Sequence, residues 1–371
     1  MGKFFSETKK MLAFGCMRLP MQGDEVDLEE FKRMVDEFIA QGFNYFDTAH
    51  GYINGKSEKA IKKALVERYD RSQYLITDKL TEYYFKTEED IIPLVNEQLE
   101  IVGVDYFDFY LMHMQNRINY EHFKKCRAYE TAFKLKEMGK IHHVGISFHD
   151  TADILDKILT DYPQIEVVQI QLNYIDYDFD KIQSRKCYEV CVKHNKPVLI
   201  MEPVKGGQLV KLPEEADKVF RELNNGSNAS YAIRFAASHD NVEMVLSGMS
   251  NLEQLKDNTS YMKDFVPLNE KEYEAINKVV EIFHNLELVP CTDCRYCVSG
   301  CTKGILIPDI FKAYNAFLRT RDWSGRMLYH EATKEHAKAS DCIKCGKCER
   351  ICPQHLKIRD LLVEASELFD K

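Results

Sequence analysis

Apolar positions through Asn285 follow two alternating patterns. Short runs that are apolar at nearly every position fit buried parallel strands, and stretches with apolar residues three or four apart fit amphipathic helices. The runs are Met11–Gly15, Asn44–Asp47, Tyr74–Thr77, Phe107–His113, Ile141–Ser147, Val167–Gln171, Pro197–Met201 and Val242–Ser247. Between them, Leu28, Phe31, Val35 and Phe38 mark one face of a helix over Leu28–Ala40. Ile91, Leu94, Leu99 and Val102 do the same over Asp90–Val102. Eight strands alternating with helices predict an α/β fold, closed as a (β/α)8 TIM barrel rather than an open sheet.

The alternation ends with a helix over Glu270–Phe283, and Pro290 marks a boundary. Beyond it the helical period returns at Asp309–Leu318, Ser324–Ala337 and Ile358–Phe369. Around these helices lie eight of the chain's twelve cysteines, in two C-x-x-C-x-x-C-x-x-x-C runs. The first is Cys291, Cys294, Cys297 and Cys301; the second is Cys342, Cys345, Cys348 and Cys352, followed by Pro353. Bacterial two-cluster ferredoxins hold 4Fe–4S clusters with this spacing, and the fourth cysteine of each run serves the other cluster. The expected ligand sets are therefore Cys291, Cys294, Cys297 and Cys352 for one cluster, and Cys342, Cys345, Cys348 and Cys301 for the other. Structural zinc pairs C-x-x-C with a distant partner pair, which leaves the third cysteine of each run surplus. Disulfides need an oxidising compartment, and no secretory segment is read in the opening MGKFFSETKKMLAFG. The reading is thus a barrel domain over 1–285 and a small, mostly helical ferredoxin-like domain over 286–371 that moves single electrons.

Composition narrows the class. With 45% hydrophobic and 29% charged residues among 371, the chain can bury two ordinary cores. The net charge of −9 argues against a nucleic-acid surface. No apolar run reaches the ~18 residues of a membrane span. Reduced cysteines and labile clusters imply a cytoplasmic protein, suited to low oxygen. Cys126, Cys187 and Cys191 are read as small buried apolar residues. His142 and His143 are read as a solvated turn, and Trp323 and Tyr329 as packing between the cluster halves.

Polar residues end several strands, where barrel active sites lie. Asp47 ends the second, with Tyr52 shortly after it; Lys79 ends the third and His113 the fourth. Each has an ordinary reading: Asp47 as a cap, Lys79 as a surface lysine, Tyr52 as a rim aromatic, His113 as a core histidine. Their ordered context resembles the aldo-keto reductase family. The matching stretches are GCMRLP, FDTAHGY with GKSE, Lys79, LMH, GKIHHVGIS, QIQLNYID, EPVKGG and LSGMSNLEQLKDN.

The resemblance implies an oxidoreductase that reduces a carbonyl, or oxidises an alcohol, with NADPH or NADH. It implies a catalytic tetrad of Asp47, Tyr52, Lys79 and His113. A tyrosine ordinarily ionises near pH ~10, and a lysine ammonium beside it favours the phenolate. Tyr52 would then give a proton to the substrate oxygen, Lys79 would tune it, Asp47 would aim Lys79, and His113 would orient the oxygen. By the same resemblance Gly15, Cys16, Met17, Ser147, Gln169 and Met201 lie by the nicotinamide side. Glu202, Pro203, Val204, Lys205 and Gly206 match the pyrophosphate loop, with Lys205 a candidate phosphate contact. Gly248, Met249, Ser250, Gln254, Asp257 and Asn258 match the adenosine side. Three departures stand out: Phe148 follows Ser147 where many members have Asn, Met201 stands where many stack an aromatic ring, and Gly248 and Gln254 stand where members selective for the 2′-phosphate often carry Lys and Arg.

Nicotinamide moves hydride whereas each cluster moves one electron. Two other readings follow from that mismatch: a ferredoxin-linked reductase fed by the clusters, and a nicotinamide-sensing electron-transfer subunit. The intact tetrad favours an enzyme. Expected partners are a small carbonyl or alcohol substrate and a redox protein.

Overall fold

The computed structural model describes residues 2–180, 182–286, 288–320 and 323–370. Eight parallel strands close a barrel: β1 Leu12–Gly15, β2 Tyr45–Asp47, β3 Leu75–Leu80, β4 Phe107–Gln115, β5 Ile141–Phe148, β6 Val167–Gln171, β7 Val198–Met201 and β8 Val242–Ser247. Each pairs with its sequence neighbours, and β1 closes the ring against both β2 and β8. The strands begin and end within a residue or two of the runs predicted from the pattern, except that β3 runs on to Leu80 and β4 to Gln115.

Period-two alternation decides which side chains face inward. Ala13, Tyr45, Leu75, Phe109, Leu111, Val167, Leu199, Met244 and Leu246 fill the interior with Phe5. Moving up the same parity from this layer reaches Asp47, Thr77, Lys79, His113, Ser147 and Gln169 at the C-terminal end. The opposite parity turns Asp78, Asp108 and Tyr110 toward the surrounding helices. Gly145 is required by this packing, because a Cβ there would lie 2.6 Å from Leu111, from Val167 Cγ1 and from the Val167 carbonyl.

The N-terminal end of the barrel is plugged by residues before β1. Phe5 stacks edge-on to Phe109 at 5.0 Å. Glu243 accepts from the Phe4 amide at 2.9 Å and from the Thr8 hydroxyl. His143 Nε2 meets Glu7 at 2.6 Å and its Nδ1 meets Glu166 at 3.1 Å. This corrects the reading of His142 and His143 as a turn: both lie within β5, with His143 stacked on Phe109.

The chain forms two compact units that interleave along the sequence. One runs to Pro203 and includes Ala229–Leu268; the other comprises Val204–Asn228 and the chain from Asn269 onward. The segment Val204–Asn228 and the helix Glu270–His284 therefore pack with the cysteine-bearing region. That unit has helices Glu214–Leu223, Glu270–His284, Ile307–Thr320, Ser324–Thr333 and Ile358–Phe369. Its core gathers Ile305, Ile307, Ile310, Phe311, Leu356 and Ile358 with Cys297 and Cys348. Tyr329 is buried, stacked on Phe369 at 4.7 Å. Trp323 is 68% exposed, so it does not pack between the halves as predicted. Among the described residues no helix is long and apolar enough to cross a membrane.

Candidate active site

Lys79 is the hub of the barrel mouth. It is fully buried, and its Nζ meets Asp47 Oδ1 at 2.6 Å, the Thr48 carbonyl at 2.7 Å and Tyr52 Oη at 3.1 Å. β2 supplies Asp47 and β3 supplies Lys79, and the pairing of Asp47 with Thr77 sets their separation. Gln169 on β6 donates to the other Asp47 oxygen at 3.0 Å. Burial raises the Asp47 carboxyl above its ordinary range, and Lys79 and Gln169 work against that rise. An ammonium buried this deeply needs its charge and protons met, and all three acceptors are oxygens.

His113 ends the inward row of β4. Its ring centroid lies 6.0 Å from that of Tyr52, and its Nδ1 is 2.7 Å from the Thr81 hydroxyl. Burial holds its basicity well below the ordinary histidine value, with Lys79 and His149 adding to the effect. The ring is therefore neutral near pH ~7. The structure thus brings Asp47, Tyr52, Lys79 and His113 together around one point.

The loop that carries Tyr52 is held on two sides. Ser57 bonds the Thr48 hydroxyl at 2.8 Å and the Cys16 carbonyl at 2.9 Å. His50 Nδ1 bonds the buried Glu58 carboxylate at 2.9 Å. Just past Tyr52, Ile53 and Asn54 adopt left-handed φ of 52° and 54°. A β-branched residue there is strained by about 1–3 kcal/mol. Met114 and Glu202, at the ends of β4 and β7, are also left-handed, at 56° each.

The positions matched to the nicotinamide side are occupied by polar bonds of the fold. Ser147 Oγ accepts from the Met114 amide at 2.8 Å. Gly15, Cys16 and Met17 lie where β1 passes into a short helical turn, and burial with Asp47 nearby pushes the Cys16 thiol well up. Met201 ends β7, and the carbonyl of Glu202, the next residue, accepts from Asn173 at 3.1 Å. On the adenosine side, Ser250 donates to the Arg18 carbonyl at 2.9 Å and Gln254 accepts from the Ser250 amide at 2.8 Å. Asn258 donates to Ser247 at 2.8 Å, Met249 is buried, and a Cβ at Gly248 would meet Arg18 at 3.3 Å. Asp257 lies on the same helix, Leu252–Met262. Arg18 was not singled out in the sequence, although it sits inside GCMRLP; its approach to Gly248 and the bond from Ser250 to its carbonyl mark it.

Val204, Lys205 and Gly206 belong to the second unit. Gly206 has φ of 63°, and a Cβ there would come within 2.2 Å of the Thr292 carbonyl. Gln208 donates to the Cys291 carbonyl at 2.5 Å. The loop therefore backs onto the first cysteine run.

The eight run cysteines surround two cavities. Cys291, Cys294, Cys297 and Cys352 line one, and Cys301, Cys342, Cys345 and Cys348 line the other. This is the crossed grouping expected from the spacing. Ile307 lines both cavities. Burial and the neighbouring thiols Cys291, Cys352 and Cys348 push Cys297 up, a crowding that bound iron would relieve. Among the described residues no group of three His, Cys, Asp or Glu side chains closes on a single ion. Zinc needs four donors at ~2.0–2.3 Å from one point, whereas a polynuclear cluster holds its thiolates apart around a volume. The donor set and the cavities fit the clusters.

A family model described as the aldo/keto reductase family matches residues 11–281, and one described as a 4Fe-4S dicluster domain matches residues 290–357. Protein REDOX 2 of Catharanthus roseus is 26% identical over 208 residues, which cover 51% of this chain and 60% of that protein. The holo form of an aldo-keto reductase from Bacillus halodurans is 26% identical at a TM-score of 0.59, covering 72% of this chain and 91% of its own. An aldo/keto reductase from Klebsiella pneumoniae, solved with NADP and acetate, shares the fold at a TM-score of 0.59 and 19% identity, covering 73% and 91%.

Proposed function

The chain belongs to the aldo/keto reductase family and carries a 4Fe-4S dicluster domain, and on that premise we propose that its barrel reduces a carbonyl, or oxidises an alcohol, with NAD(P)H. The observation that carries this reading is Lys79 Nζ held between Asp47 at 2.6 Å and Tyr52 Oη at 3.1 Å. Bound nicotinamide supplies the hydride.

Reduction of a carbonyl places negative charge on its oxygen. Tyr52 gives that oxygen a proton, and the Lys79 ammonium stabilises the phenolate left behind. Asp47, fixed by Gln169, keeps Lys79 charged and aimed. His113 is neutral and its Nδ1 pairs with the Thr81 hydroxyl; the tautomer that carries its proton on Nε2 is the one that hydrogen-bonds the substrate oxygen. In the oxidising direction Tyr52 takes the proton back.

Ser147, Gln169, Gly15, Cys16, Met17 and Met201 would hold the nicotinamide end. Gly248, Met249, Ser250, Gln254, Asp257 and Asn258 would hold the adenosine end, with Arg18 as the cation beside it. The Klebsiella relative was solved with NADP, which supports a nicotinamide cofactor, while the placement rests on the resemblance of the residues. Cys291, Cys294, Cys297 and Cys352 would hold one 4Fe–4S cluster, and Cys301, Cys342, Cys345 and Cys348 the other. Bound there, the clusters would supply one-electron transfer.

A single turnover under strict anaerobiosis with cofactor deuterated at the transferred position tests the hydride role. Label in the alcohol product is expected. Reduction without label, occurring only when the clusters are pre-reduced, would favour the second reading, a ferredoxin-linked reductase. The paired thiol-lined cavities are what support that alternative.

A further inference from the structure

The two thiol-lined cavities differ in what surrounds them. The one lined by Cys291, Cys294, Cys297 and Cys352 is enclosed by buried residues such as Thr292, Phe311, Gln354 and Ile358. Its cation, Arg295, is tied to Asp309 at 2.7 Å and to Asp293 at 3.1 Å. Its run also backs onto the loop Val204–Gln208, the direct continuation of β7 in the chain.

The lining of the other cavity is more exposed. Cys345 is exposed, whereas the other seven run cysteines are intermediate or buried. Ile343 beside it is 58% exposed. Lys303 and Lys347 line this cavity and Lys344 adjoins Cys345; all three are exposed, and none makes an ion pair among the described residues. The remaining cation, Arg359, is neutralised by Glu349 at 2.7 Å. An electron centre at the surface, an apolar contact and unpaired positive charges are what a transient redox encounter uses. Such interfaces are small and rely on charge to steer and orient.

We propose that the face of Lys303, Lys344 and Lys347 around Cys345 and Ile343 is the docking surface for a small acidic one-electron carrier protein. The proposal rests on the reading of the eight cysteines as ligands of two clusters. In the transfer the carrier loses one electron and the outer cluster gains it, with no bond made or broken. Ile307, shared by both cavities, lies between this entry point and the inner cluster. The prediction runs against the net charge. At −9 the whole chain repels an acidic carrier, so binding requires the local patch to prevail over the monopole.

The test uses the full chain, loaded anaerobically, with an acidic plant-type [2Fe–2S] ferredoxin in its oxidised state as the probe and the basic carrier cytochrome c as its opposite. Binding is measured against salt, and cluster bleaching by the reduced ferredoxin is compared with bleaching by dithionite. The ferredoxin is expected to bind, with Kd rising about tenfold from ~50 to ~300 mM salt as screening sets in. Lys344→Glu and Lys303→Glu are each expected to weaken binding about tenfold, while dithionite bleaching stays as fast as in wild type. Lys278→Glu, the same charge change on the helix Glu270–His284, should alter binding less than about twofold. Equal losses from Lys278→Glu and Lys344→Glu would reduce the effect to net charge and overturn the proposal. So would tighter binding of cytochrome c, or no ferredoxin binding to fully loaded protein; both need only the wild type. Failure of the wild type to take up iron and sulfide would instead remove the cluster reading, and this proposal with it.

Discussion

At the scale of single residues, the barrel mouth works by arranging charge around Lys79. If Tyr52 is the proton donor, Tyr52→Phe keeps the ring's packing and removes the proton. Turnover should fall ~10²–10⁴-fold, with cofactor binding little changed. Lys79→Met should also abolish most activity and leave Asp47 as an uncompensated buried carboxyl, a cost of about 3–5 kcal/mol in stability. Single-turnover rates and cofactor titration check the first effect, and denaturant melts the second. On the other face of β3 lies a residue the sequence did not flag. Asp78 Oδ1 accepts from Gln98 at 3.1 Å, but no donor reaches its buried Oδ2. The charged neighbour that acts on this carboxyl is Glu58, whose own carboxylate already takes His50. Two carboxylates cannot bond without a proton between them, and burial followed by Glu58 pushes Asp78 well above its ordinary value. A carboxyl raised in the folded state loses its contribution as pH rises past ~3.9 toward the folded value. Asp78→Asn supplies the same hydrogen permanently, so its Tm should gain on wild type as pH rises. Asp78→Ala should cost about 1–3 kcal/mol at every pH by stranding Gln98 and Glu58. Parallel melts of the three proteins between about pH 5 and 9 decide the matter, and a flat difference between Asp78→Asn and wild type would refute the shared proton.

At the scale of elements, the plug before β1 shows how a short segment closes a barrel. Phe5 completes the interior layer, and Glu243 and His143 anchor the chain on either side of it. Burial alone would make His143 less basic; its bonds to Glu166 and Glu7 outweigh that and raise it. Glu166 is pulled down to about 2 by His143 and Lys136 against the opposing effect of burial. A raised histidine adds its full stability below its ordinary pKa of ~6.5 and loses it as pH rises through the folded value. His143→Gln should therefore destabilise the protein by roughly 1–2 kcal/mol near pH ~5.5 and much less near pH ~9. Thermal melts at both pH values, with proteolysis of the N-terminal segment as a local readout, check this. Equal destabilisation at both would show that packing on Phe109, rather than charge, holds the plug. The strained turn after Tyr52 belongs to this scale too. Ile53 itself carries no sequence sign of a left-handed conformation, which the following Asn54 and Gly55 do invite.

At the scale of the whole molecule, the proposed reading assigns hydride chemistry and one-electron chemistry to the two compact units of one chain. If each cavity takes one cluster, anaerobically loaded wild type holds about eight irons and eight sulfides. Cys345→Ser should reduce that to about four and leave the barrel's unfolding transition unchanged, because the barrel core contains none of these ligands. Iron and sulfide analysis with calorimetry tests both halves of the statement. Zinc without acid-labile sulfide in protein prepared anaerobically would disprove it.

Much of this was legible in one dimension. Strand runs, helix faces and the two cysteine runs follow from periodicity and spacing, which are local properties of a chain. The crossed grouping of the thiols was expected from the two-cluster ferredoxin arrangement, in which the fourth cysteine of each run serves the other cluster. Asp47, Lys79 and His113 stood out because polar residues ending apolar strands are rare and barrel chemistry sits there. Tertiary structure decided what depends on neighbours distant in sequence. Gln169 was read as a cofactor contact, yet it also holds Asp47 across 122 residues. Thr81 sets the His113 ring across 32 residues, and Asp78 meets Glu58 from an adjoining helix. His143 became a strand residue bridging two glutamates, and Trp323 became solvent-exposed. Sequence reports the period of each element, and so which side chains share a face. Only packing of element on element determines what that face meets, and with it the charge and protonation of every buried group.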